Sequence, residues 1–117
     1  MTEEIFQTIR QICSAYGVSV DDVLSRSRKR ELCHVRIIIA YIIRNKYRLS
    51  YSETGKFINR DHSTITYYVK IYDDLCKYDF SFREMVAKIN DIVSNIKSEF
   101  QKELEDEFST LVEYNTV

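Results

Sequence analysis

Between Asn59 and Tyr68 the chain reads NRDHSTITYY. Arg60, Asp61, His62, Ser63 and Thr64 place a guanidinium, a carboxylate, an imidazole and two hydroxyls in five consecutive residues. Metal chemistry fits this row poorly. Cys33 and His34 are adjacent, Cys13, Cys76 and His62 are scattered, and no CxxC or HxxxH spacing occurs. The Tyr67-Tyr68 pair suggests a DNA-nicking nucleophile, but that chemistry also needs a pair of metal-binding histidines, which is missing. Recognition suits the row better. At the start of a helix, short donors, acceptors and a methyl group can meet the edges of base pairs. Asp61 is placed to act as N-cap, with His62, Ser63 and Thr64 on the exposed first turn. Arg60 and the positive end of the helix attract phosphate. The plainer alternative is a polar helix start that only caps.

The elements around the row give it direction. Ile5, Ile9 and Ile12 recur at helical spacing, so a helix is predicted from Glu3 to Tyr16, capped by Thr2 and stopped at Gly17. Ser19 with Asp22 predicts a capping box and a short helix to Ser25. RSRKR, Arg26 to Arg30, reads as a basic loop. A third helix over Glu31 to Tyr47 is apolar around most of its girth and therefore central. Ser50 with Glu53 opens a short helix to Ile58, and after a tight turn a helix runs from His62 to Lys77, with Ile65, Val69 and Tyr72 facing the core. A third capping box, Ser81 with Glu84, opens a final helix from Phe82 onward. Short helix, turn and second helix with a polar start form a helix-turn-helix, whose second helix enters the major groove.

Composition supports an all-α reading. The chain has two glycines and no proline, whereas sheets and long loops usually need turn chemistry. At 117 residues it is one domain's worth. The most apolar run, Ile37 to Ile43, is too short to span a bilayer, and the acidic start is no signal peptide. Three cysteines at wide spacing point to reduced thiols and a cytoplasmic protein. The net charge of −1 conceals an asymmetry. Leu24 to Lys70 holds 11 Lys+Arg against 3 Asp+Glu, and Asp73 to the end holds 5 against 11. A phosphate backbone meets the facing surface and not the sum, so the distribution favours a nucleic-acid partner.

NRDHSTI resembles the signature of the C-terminal DNA-binding domain of the DnaA replication initiator family. GVSVDDVLSRSRKRELCHVRIIIAYIIR resembles that family's short helix, basic loop and long helix, and SYSETGKFI the helix before its turn. The resemblance covers Glu3 to Ile96. It implies a helix-turn-helix bundle, related to the Trp-repressor arrangement, that binds double-stranded DNA at a replication origin. It implies that Arg28 enters the minor groove, with Arg26, Lys29 and Arg30 beside it. Arg36 would bind phosphate from the long helix. Asp61, His62 and Ser63 would contact the major groove, with Thr64 close to base or backbone. A basic side chain in a narrow minor groove adds a shape-sensitive reading.

The sequence departs from the family pattern. The turn is one residue shorter, with Asn59 in place of a glycine; Val35 replaces a proline; Ile37 replaces a polar phosphate contact; Tyr67 replaces a histidine of the recognition helix. No GxxxxGK[ST] loop is present, so no nucleotide cofactor and no enzymatic activity are expected. The expected organisation is a DNA-binding domain over 1–96 and an acidic amphipathic helical extension over 97–117. Met85, Ile89, Ile92, Ile96, Phe100, Leu104, Phe108 and Leu111 form one stripe. A helix from Phe82 to Tyr114 would be roughly 50 Å long, against a domain roughly 26–30 Å across. The stripe then pairs with a second copy as a homodimer, folds back, or meets another partner. That helical continuation favours a stand-alone protein over an excised domain. Two further readings stay open: a repressor-like regulator of transcription, and a protein-interaction adaptor whose DNA face has decayed.

Overall fold

The computed structural model describes residues 2–91. In order come α1 (Thr2–Ala15), α2 (Val20–Leu24), α3 (Arg30–Tyr47), α4 (Tyr51–Ile58) and α5 (His62–Tyr78), then α6, helical over 80–91. The expected all-α class holds for the described residues. The chain divides into two units, 1–86 and 87–117. Of the second, only helical residues 87–91 are described, so the expected extension over 97–117 and its homodimer lie outside the described residues. Among the described residues no helix is long and apolar enough to cross a membrane.

In the first unit α3 is the central element, touched by α1, α2, α4 and α5. Val35 and the run Ile37, Ile38, Ile39 and Ala40, separated by the equally buried Arg36, are all at most 3% exposed. β-Branched side chains lose rotamer freedom in a helix. Burial of each is worth about 1.5–3 kcal/mol, which outweighs that cost. Ile37, in the position of the family's phosphate contact, is therefore a core residue. Around α3 pack Ile5, Ile9 and Ile12 of α1, Ile58 of α4 and Ile65 of α5, each at most 2% exposed. Aromatic rings complete the packing: Tyr41 stacks on Tyr72 at 3.6 Å, and Phe82 meets Tyr72 and His34 edge-on at 5.6 and 5.3 Å. Hydroxyls tie the ends together. Tyr47 Oη lies 2.7 Å from Thr8 Oγ1, and Tyr16 donates to the Met85 carbonyl.

Helix ends follow local chemistry, with several differences from expectation. Thr2 lies within α1 and does not precede it as a cap, and Gly17 adopts the expected left-handed φ of 67°. Ser19 Oγ accepts from the Asp22 N–H at 3.0 Å, and only this half of the box forms among the described residues. The Ser50–Glu53 box forms both ways. α3 starts at Arg30, so the basic loop is shorter by one residue. α6 starts at residue 80 and not at Phe82, because Asp79 caps it by accepting the Phe82 N–H at 3.1 Å; Ser81 is already helical.

Candidate nucleic-acid interface

The turn between α4 and α5 is set by close backbone approach. The Arg60 N–H donates to the Gly55 carbonyl at 2.9 Å, and a Cβ on Gly55 would lie 2.2 Å from the Arg60 carbonyl oxygen. Only glycine fits there. Asn59 ends α4 in the left-handed region, φ 56° and ψ 49°. Asparagine is one of the few residues with a side chain that visits it readily, so its presence where the family has glycine keeps the geometry.

Asp61 occupies the N-cap position of α5 in extended conformation, φ −70° and ψ 154°, but its side chain makes no cap bond to the backbone. The carboxylate instead accepts from Ser63 Oγ at 2.6 Å and lies 3.2 Å from His62 Nδ1. The Ser63 hydroxyl above all, with the His62 ring, holds this carboxyl below its ordinary value of 3.8. An acceptor on Nδ1–H orients the His62 ring and leaves Nε2 outward, an acceptor in the neutral ring and a donor in the charged one. His62, Ser63 and Tyr67 are exposed, the last at 58%. Ser63 and Tyr67, four apart, share one face. Ile65, fully buried, anchors the helix from the other side.

The expected basic residues divide by what holds them. Arg26, Arg28 and Lys29 are exposed, and their side chains carry no hydrogen bond or ion pair among the described residues. Arg30 is exposed but pairs with Asp79 at 3.3 Å. Arg60 turns its guanidinium inward, to the Asn59 carbonyl at 2.9 Å and the Ser25 carbonyl at 2.5 Å. Arg36 departs furthest from expectation. It is 2% exposed and bonds the carbonyls of Asp22, Val23, Ser25 and Ser27, so in this arrangement its charge faces main chain in place of phosphate.

An open concavity of about 520 Å³ joins loop to helix start, lined by Arg26, Gly55, Lys56, Asn59, Arg60, Asp61 and Thr64. Thr64 is thus half-buried beside Arg26 and away from the outermost row. Lys56, exposed on α4, was missed from sequence, because only the fold brings it to the same concavity as Arg26 and Arg60. The arrangement offers two adjoining surfaces: an ordered polar helix start and a loop of free cations.

A family model described as bacterial dnaA protein helix-turn-helix matches residues 5–71, from α1 into α5. Similar curated proteins include the chromosomal replication initiator protein DnaA of Mycoplasma pneumoniae, 36% identical over 69% of this chain and 18% of the relative. The same-named protein of Desulfotalea psychrophila is 38% identical over 75% and 19%. Chromosomal replication initiator protein DnaA 1 of Chlamydia pneumoniae is 34% identical over 77% and 19%. The chain thus spans under a fifth of the length of these relatives.

Proposed function

The chain belongs to the bacterial DnaA helix-turn-helix family, and on that premise we propose that it binds double-stranded DNA sequence-specifically, in replication initiation or its control. The start of α5 reads base edges in the major groove through His62, Ser63 and Thr64. Arg28 enters the adjacent minor groove, flanked by Arg26 and Lys29. Tyr67 follows one turn along α5, and Arg30 and Lys56 contribute positive field near the backbone. The observation that carries this reading is the pairing of two unlike surfaces: His62 and Ser63 held outward by Asp61, beside three exposed cations that no group among the described residues engages. The chain acts here as a binding module over residues 1–96, with no catalytic step assigned to its residues.

Selection of bound sequences from a random duplex pool tests this. One enriched motif is expected, with log affinity falling linearly with log salt at a slope of about −0.9 per phosphate neutralised. Arg28→Ala should weaken binding to the selected duplex about tenfold, and His62→Ala by ~1–3 kcal/mol if its base contact is good. No enrichment, together with affinity indifferent to salt, would reject the reading.

A further inference from the structure

We propose that Arg36 is a positioning residue, presetting the basic loop for DNA through the main chain, with Arg60 as its second brace. The proposal rests on the DNA-binding reading above. An arginine has five N–H groups in a fixed planar fork, and every nitrogen of Arg36 faces an acceptor. Nε donates to the Val23 carbonyl at 2.7 Å. Nη1 donates to the Ser27 carbonyl at 2.7 Å and faces Cys33 Sγ at 3.8 Å. Nη2 donates to the carbonyls of Asp22 at 3.0 Å and Ser25 at 3.1 Å. The four carbonyls belong to the C-terminal turn of α2 and the loop that follows, where a helix end runs out of intrahelical donors; that of Asp22 also accepts from the Ser25 N–H and hydroxyl. A buried charge persists only when it is so paired.

The consequence lies in the loop. Residues 25–29, Ser-Arg-Ser-Arg-Lys, contain neither proline nor glycine, so no residue there is stiff by its own covalent geometry. Order is imposed from outside and by short hydroxyl bonds, the Ser27 N–H to Ser25 Oγ at 3.2 Å and the Lys29 N–H to Ser27 Oγ at 3.4 Å. With the carbonyls of Ser25 and Ser27 drawn inward, Arg26, Arg28 and Lys29 stand exposed. Ser25 is the junction, because its carbonyl accepts from Arg36 Nη2 and from Arg60 Nη2 at 2.5 Å. Asn59 Nδ2 adds a bond to the Leu24 carbonyl at 3.4 Å. The loop and the turn that launches α5 are therefore held to common points, so the two DNA-facing surfaces keep one spacing. A loop already in place spares the duplex the cost of ordering it.

The test is a double-mutant cycle on the full chain with the selected duplex, read by fluorescence anisotropy. Arg36→Lys keeps the charge but replaces the fork by one nitrogen, which cannot serve four carbonyls. If the loop is then correctly placed in a tenth of molecules, affinity falls about tenfold. In an Arg28→Ala background the same change should cost less than about twofold, because the loop's reading residue is already gone. Equal factors in the two backgrounds, or wild-type affinity for Arg36→Lys, would overturn the proposal; a loss of general fold would act alike in both. Should Arg36→Lys lose its helical circular dichroism, Arg60→Lys takes its place in the cycle, with the same coupling expected and additivity again overturning. Wild-type chain that binds no duplex would bring down the DNA reading and this proposal with it. Binding by wild type with additive losses would bring down this one alone.

Discussion

Gly55→Ala probes the turn most directly. The added Cβ lies 2.2 Å from the Arg60 carbonyl oxygen, and real Cβ atoms essentially never come within 3.0 Å of a neighbour. That oxygen is main chain and cannot swing aside, so the backbone at Arg60 must retreat. The retreat stretches the 2.9 Å bond from the Arg60 N–H to Gly55 and carries the start of α5 with it. Overpacking of this kind costs ~1–3 kcal/mol, and a backbone-on-backbone overlap belongs at or above the upper end. Alanine in a helix interior returns ~1 kcal/mol over glycine, so the net loss is about 2 kcal/mol. At ~4–8 °C per kcal/mol for a small domain, Tm should fall by roughly 8–16 °C. Gly17→Ala is the control. Nothing lies within 4 Å of its Cβ, and only the φ of 67° is strained, at about 1 kcal/mol. Thermal scans by circular dichroism read the difference. At a temperature where both are folded, Gly55→Ala should also bind duplex more weakly while Gly17→Ala binds as wild type. A Gly55→Ala midpoint at or above that of wild type would refute the reasoning, because helix propensity alone would then have decided the outcome.

Ser50→Ala removes the hydroxyl that accepts the Glu53 N–H at 3.1 Å and should cost ~1 kcal/mol; the urea midpoint should fall with an unchanged m-value, and an unmoved midpoint would refute it. Acid should destabilise the domain in two ranges. Burial chiefly lowers His34 below its ordinary 6.5, with Asp79 opposing and Arg30 assisting, so the unfolded chain takes up that proton first. Its contribution is complete above 6.5 and is lost as pH falls below that value. The Phe82 N–H chiefly lowers Asp79, and the Ser63 hydroxyl Asp61, below 3.8. Their contributions are present above 3.8 and are lost as pH falls toward the folded values. Urea titrations across this range should therefore show an upper step that His34→Asn abolishes; an upper step of the same size in that variant would refute the assignment.

Much of the frame is legible because it depends on local pattern. The apolar girth of α3 announces its burial, and serine three residues before an acid marks the starts of α2 and α4. A short helix, a turn and a second helix with a polar start brought out the helix-turn-helix, and the left-handed Asn59 shows why a residue other than glycine could stand there. What stayed hidden depends on contacts between distant residues. Arg36 looks like any arginine, and only the fold shows four carbonyls turned toward it. Arg60 looks like a phosphate ligand until Ser25, 35 residues away, supplies its acceptor. Asp79 outcompetes Ser81 as cap because its position at the break between α5 and α6 fits that geometry, and two neighbouring candidates cannot be ranked from sequence. The loop cations were visible as a cluster, but their division into free and engaged members needed coordinates.

Arg36 grips carbonyls, and every amino acid has one. The side chains at 26, 28 and 29 take no part in that grip, so they can be exchanged while the loop's path stays as it is. On the DNA-binding reading proposed above, exchanging these solvent-facing residues alters the loop's contact with the duplex without rebuilding the scaffold. Retargeting by design has the same convenient starting point.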